Sequence, residues 1–185
     1  MNFDITLLPE TQNGILAQKY ADRPKRLNLQ EFQSLEITEE ERVLRDKIYA
    51  FEDWLFTIPQ AYVDKDIPYQ PIHTIVPGSG VYIRTLAIPP HQVVVGRRHS
   101  IEHQVLLTKG SCLCVTERGL EKMVAPCQFI SPAGEKRIVY TTDEEAVWVT
   151  IHRTDKTTIE EIEADIRIDE PERMFAQLES RRLLK

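Results

Sequence analysis

Hydrophobic residues change their rhythm twice along this chain of 185 residues. From Thr38 the pattern is helical. Leu44, Ile48, Phe51 and Leu55 recur three or four apart, and Val43 and Trp54 widen the stripe. Thr38 and Glu41 have the spacing of a capping box, in which each side chain satisfies a free backbone donor at the helix start. Pro59 ends the element. The spacing therefore predicts a helix that lays its apolar face on the rest of the chain or on a partner.

Between Pro71 and Arg153 the rhythm shortens. Runs such as Val81–Ile88, Val105–Leu107, Ser111–Val115, Arg137–Tyr140 and Ala146–Ile151 are rich in β-branched and aromatic residues. Turn signals separate them at Pro77-Gly-Ser-Gly80, Pro89-Pro90, Lys109-Gly110, Arg118-Gly119, Pro132-Ala-Gly134 and Asp143-Glu-Glu145. Short strands at such regular spacing predict an antiparallel sandwich or barrel. After Thr154 the helical rhythm returns. Thr157 or Thr158 can cap a stretch carrying Ile159, Ile162 and Ile166 on one face. Pro171 opens a second, with Met174, Phe175 and Leu178 on its stripe. Both are dense in Glu and Arg, as expected of a solvated outer face over a docked inner one.

The chain thus divides into a helical and irregular extension (1–70), a β-rich barrel (71–153) and a C-terminal helical extension (154–185). Its first stretch, including Asp22-Arg-Pro-Lys-Arg26, has little periodicity of its own. Order there requires docking on the barrel, on a symmetry mate or on a larger assembly.

Charge narrows the partners. A formal net charge of -6 gives no long-range attraction to nucleic acid or to an anionic membrane, although a local basic cluster could still hold an anion. The aromatic residues are scattered and not interleaved with a basic stripe, so base stacking has no platform. No apolar stretch approaches the roughly 18–20 residues needed to span a bilayer. Met1-Asn-Phe-Asp lacks the basic start and apolar run of an export signal. Cys112, Cys114 and Cys127 are therefore expected as reduced thiols in a cytoplasm, acting as small buried hydrophobes. The chain has no phosphate-binding loop and no nucleophile elbow.

The β-rich part resembles the cupin superfamily, and the match can be counted along the chain. The first cupin motif reads Pro-Pro-Gly, five residues, His-x-His, three or four residues, Glu, six residues, Gly. Here Pro89-Pro90-His91 is followed after five residues by Arg97-Arg98-His99, after three by His103 and after six by Gly110. The second reads Gly, five residues, Pro-x-Gly, two residues, His. Here Pro126 leads to Pro132-Ala133-Gly134 and then Arg137. The motifs cover about 91–137 of the chain. The wording of the sequence is also similar to small cupin-like proteins of tailed bacteriophages.

The resemblance implies a cupin-type double-stranded β-helix (jelly-roll) barrel with helical extensions at both ends. It also implies a metal held by three His and one Glu, but those positions read Arg97, His99, His103 and Arg137. Guanidinium groups stay protonated and donate no lone pair. The sequence expectation is therefore a metal-free barrel with no cofactor, in which Arg97, His99, His103 and Arg137 bind a small anion. That would make the protein a non-enzymatic binding or assembly protein, homo-oligomeric or part of a larger particle such as a virion. The alternative is a metal-dependent enzyme of the dioxygenase or isomerase type using His99 and His103. Its ligand set would draw on His99, Glu102, His103 and His152, although Glu102 and His103 are neighbours and on a regular strand face opposite ways. A barrel serving only as a scaffold, with its arginines turned outward, is the third reading.

Overall fold

A computed structural model describes residues 24–62, 67–76 and 78–182. The sequence readings made on residues 1–23 lie outside the described residues. The elements run α1 (Leu29–Gln33), α2 (Glu39–Phe56), β1 (Ile72–Val76), β2 (Val81–Ile88), β3 (Val93–Val95), β4 (His103–Lys109), β5 (Ser111–Thr116), β6 (Gly119–Val124), β7 (Cys127–Ser131), β8 (Arg137–Thr141), β9 (Ala146–Arg153), α3 (Ile159–Ile166) and α4 (Pro171–Arg182).

The strands form two antiparallel sheets, ordered β1-β2-β9-β4-β7 and β3-β8-β5-β6. Leaving out the edge strand β1, eight strands make two four-stranded sheets whose order interlaces early and late strands. This is the double-stranded jelly roll expected from the sequence. The alternation along β4 and β9 is the period of a half-buried strand: His103, Val105 and Leu107 point inward, as do Ala146, Trp148, Thr150 and His152. Ile88, Val105, Leu107, Cys112, Cys114, Met123, Val139, Ala146 and Trp148 close on one another as the barrel core. Cys112 and Cys114 are buried among these apolar neighbours, and burial pushes the Cys112 thiol up to about 12. Both are packing residues there, as the sequence pattern implied.

Two backbone positions fix the turns around the barrel. Gly110, between β4 and β5, has φ +78°, and a Cβ there would lie 2.3 Å from the Glu145 carbonyl oxygen, so only glycine fits. His91 stands where the first cupin motif has its glycine, and its backbone is left-handed, with φ 58°. Histidine is among the residues that tolerate this region.

The helical extensions are held by polar contacts as much as by apolar ones. The Thr38 capping box is complete in both directions, and Thr158 caps α3 in the same way. In α2 only Ile48 is buried, whereas Val43 and Trp54 stay exposed. The stripe expected on α4 is not its docking face: Met174, Phe175 and Leu178 are exposed and Gln177 is buried. The helix instead docks through Arg173 and Gln177, which donate to Glu52, Asp53 and the Tyr49 carbonyl of α2. Periodicity of apolar residues could not reveal this, because the contact is made of ion pairs. Among the described residues no helix is long and apolar enough to cross a membrane.

Candidate functional site: a histidine cluster at the barrel mouth

Three imidazoles converge inside one end of the barrel. His99, His103 and His152 each offer a ring nitrogen, and these atoms all lie within 4.8 Å of one another. Ring centroids are 4.4 Å apart for His99–His103, 4.7 Å for His99–His152 and 4.4 Å for His103–His152.

Each ring is placed by a different device. His103 and His152 lie on the inward faces of neighbouring strands. The β4–β9 register puts Gln104 opposite Ile151, so the next position brings His103 beside His152. His99 belongs to neither sheet. Its segment is gripped from both sides: Leu27 N–H donates to the Ser100 carbonyl at 2.7 Å, and Ser100 N–H donates to Ile166 at 2.7 Å. Ile168 N–H donates to the Arg98 carbonyl at 3.1 Å, and Gly134 N–H donates to the His99 carbonyl at 2.8 Å. Both helical extensions therefore contribute to holding the motif segment that carries His99.

The surroundings keep the cluster uncharged. Burial, then the neighbouring His103 and His152 and the guanidinium groups of Arg137 and Arg84, hold His99 well below the usual histidine range. Burial and Arg137 do the same for His103. Burial, Arg84 and Arg137 push His152 down to about 4. Neutral imidazoles keep a ring lone pair for a metal or a hydrogen bond. The His103 Nδ1 lies 3.2 Å from the Ile101 carbonyl oxygen, to which it donates. That leaves the His103 Nε2 as the lone-pair nitrogen, 3.1 Å from His99 Nδ1. Both ring nitrogens of His152 are buried and neither has a hydrogen-bond partner. Its ring is held instead by stacking on His103 and on Tyr82, whose hydroxyl meets His73 Nδ1 at 2.6 Å. A buried polar atom left this way costs about 1–3 kcal/mol.

Beside the cluster opens a cavity of about 730 Å³ lined by His99 and His103 together with Arg84, Arg97, Arg137, Thr150 and an apolar wall that includes Leu86, Ile88, Val139 and Trp148. Arg97, His99, His103 and Arg137, the residues expected to bind an anion, thus share one cavity. Arg137 is turned inward and only 8% exposed, contrary to the scaffold reading. Its Nη2 donates to Glu135 Oε2 at 3.0 Å and to the Ser131 hydroxyl. Glu135 is itself buried and also accepts from Arg118. Glu102 is not in the cluster. It faces Lys25 at 3.7 Å, as the alternation of neighbouring residues required.

Arg84, Glu135 and Thr150 did not emerge as site residues from the sequence. The signal for two of them was there: Arg84 alternates with Tyr82 and Leu86 on the inward face of β2, and Thr150 alternates with Trp148 and His152 on β9. Glu135 sits in a loop, where no periodicity marks its direction.

Both motif stretches flank one barrel mouth, the first between β3 and β4 and the second between β7 and β8, and the strand order is that of the jelly roll. The chain has the cupin fold. No family model matches the sequence, and no curated protein sequence matches it. Solved structures similar to it include a cupin-2 domain from Rhodospirillum rubrum, with 12% identity over 62% of this chain and 76% of that one and a TM-score of 0.42. A cupin-2 conserved barrel domain protein from Rhodopseudomonas palustris has 9% identity over 66% and 83%, with a TM-score of 0.44. A DMSP lyase from Ruegeria pomeroyi has 13% identity over 52% and 53%, with a TM-score of 0.42. Within this cupin barrel the histidine cluster departs from the motif positions. It uses the second histidine of the first motif, the position of its glutamate, and a residue of the last strand that belongs to neither motif.

Proposed function

We propose that this cupin barrel holds one divalent transition metal through His99, His103 and His152 and presents it to a small ligand in the adjoining cavity. One observation carries the reading. Three uncharged imidazoles converge, and one of them, His152, has both nitrogens buried without a hydrogen-bond partner. A merely structural histidine would be hydrogen-bonded at that depth. The donor set fits the group: imidazole suits Zn, Fe, Ni and Cu, and a three-histidine set leaves further positions for a ligand.

The expectation of a metal-free barrel rested on the cations at 97 and 137. The Arg137 charge is offset locally by Glu135, 3.0 Å away. His152 supplies the third imidazole that the motif positions lack. A bound ion would act as a Lewis acid toward a ligand oxygen. The chain's own residues do the rest. The Ile101 carbonyl fixes the His103 tautomer, and Tyr82 fixes the plane of His152. In a metal-free barrel the same cavity would be a plain anion pocket, and that reading leaves the unpartnered His152 without a role.

Elemental analysis of protein purified without chelator tests the proposal. About one equivalent of Zn, Fe, Ni, Mn or Cu per chain is expected, removable by chelator and restored on addition. Protein that carries no metal and takes up none at micromolar concentrations would contradict it.

A further inference from the structure

On one side of the barrel the outward positions are as apolar as the inward ones. An antiparallel sheet with one face in water reads apolar inward and polar outward, whereas strands covered on both faces read as continuous apolar runs. β2 and β9 are of the second kind. On β2, Tyr82, Leu86 and Ile88 point inward, yet the outward positions are Val81, Ile83, Thr85 and Ala87. On β9, Trp148 and His152 point inward, yet the outward positions are Val147, Val149 and Ile151. The register carries this outer face across all five strands of the sheet. One row runs from Ile72 on β1 through Thr85, Val149 and Leu106 to Gln128 on β7, and the next from Thr74 through Ile83, Ile151 and Gln104 to Ile130. Neither row contains a charged residue. Gln104 donates to Gln128 Oε1 at 3.0 Å, so the two glutamines answer each other. At the rim Ile72 is 68% exposed and Ile130 50%. The described helices pack elsewhere: α3 on Tyr82 and Ile75 at the inward side of the sheet, α2 on Glu117 and Lys136, and α4 on α2.

We infer that two copies of this chain pair through these outer faces. A face without charges meets itself about a two-fold axis with no like-charge clash, whereas a charged partner finds nothing there to answer its own charge. The size is sufficient. Five strands about 4.8 Å apart and about 22 Å long on average make a face of roughly 500 Å². Two such faces in contact remove roughly 1,000 Å² of surface, the threshold of a specific interface. β4 and β9 carry His103 and His152 on their inward faces, so the pairing lies directly behind the candidate site. It does not depend on whether a metal is bound there.

Sedimentation of the purified full chain at micromolar concentration tests it. A species of twice the chain mass is expected. Thr85→Lys exchanges one outward polar residue for another, which a sheet facing water tolerates, but in the pair it sets like charges into an uncharged interface. It is expected to weaken dimerisation by about a hundredfold or more, leaving a monomer with an unchanged far-UV spectrum and a cooperative melting transition. Ile83→Lys, in the neighbouring row, is expected to do the same. Val124→Lys, on the exposed edge of the other sheet, is expected to stay dimeric. A monomeric wild type overturns the inference, as does a dimer that Thr85→Lys leaves unchanged or that Val124→Lys dissolves equally. A monomeric wild type whose residues 1–23 become protease-sensitive only in Thr85→Lys would assign the face to the chain's own first residues. One that sediments with phosphatidylcholine vesicles would assign it to lipid.

Discussion

Glu117→Ala is expected to destabilise the protein by about 3–5 kcal/mol, the range for stripping one partner from a buried ion pair. Glu117 is 1% exposed and holds two arginines at once. Arg98, itself 1% exposed, donates to Oε1 at 2.7 Å, and Arg45 of α2 donates to both oxygens at 3.0 and 3.2 Å. Arg98 also donates to the Tyr49 hydroxyl and the Gly134 carbonyl and lies 4.3 Å from the centre of the Phe32 ring. Removing the carboxylate leaves two guanidinium groups facing each other in a nearly dry pocket. Small domains have only about 5–15 kcal/mol in total, so this loss is a large fraction of the protein's stability. Chemical denaturation reads it directly, with Glu117→Gln as the isosteric comparison. A loss under about 1 kcal/mol would mean that the pair is solvated and does not clamp the N-terminal extension to the barrel.

The second large effect falls on the site. His152→Ala is expected to lower affinity for added Zn or Ni by about a hundredfold or more, beyond the 10–100-fold typical of losing a residue that only orients a ligand. The wild-type protein should show a metal-dependent rise in melting temperature. At a hundredfold excess over the dissociation constant this corresponds to about 2.7 kcal/mol. At the same concentration the variant should keep no more than about 0.4 kcal/mol of it. Glu102→Gln is the discriminating control. Glu102 faces Lys25 outside the cluster, so its loss should leave metal affinity unchanged. If the two variants exchange these behaviours, the ligand set includes the carboxylate and not His152.

Much of this was legible before any coordinates. The period-2 runs marked β2, β4, β5, β8 and β9, and the spacing of turns around them implied an antiparallel sandwich or barrel. Four strands escaped. β1 and β3 are short, with exposed and half-exposed residues. β6 mixes Glu121 and Lys122 into its run, so its alternation is blurred. β7 follows Pro126 without a long apolar run. At the site, counting motif positions found His99 and His103 and placed arginine at 137. It could not weigh His152, because the direction of a residue near a strand end depends on register, and register is set by the partners Tyr82 and Gln104–Ile151. It also read Arg137 by its charge alone. The loop residue Glu135, which offsets that charge, became visible only when the chain was folded. The polar docking of α4 was hidden for the same reason: an ion pair between Arg173 and Glu52 leaves no periodic trace.

X-ray absorption at the edge of the bound metal tests the central claim most directly. The account predicts first-shell scattering from about three imidazole nitrogens near 2.0–2.1 Å, with one imidazole lost in His152→Ala. A first shell without imidazole scattering, or one unchanged by the His152 substitution, would contradict it.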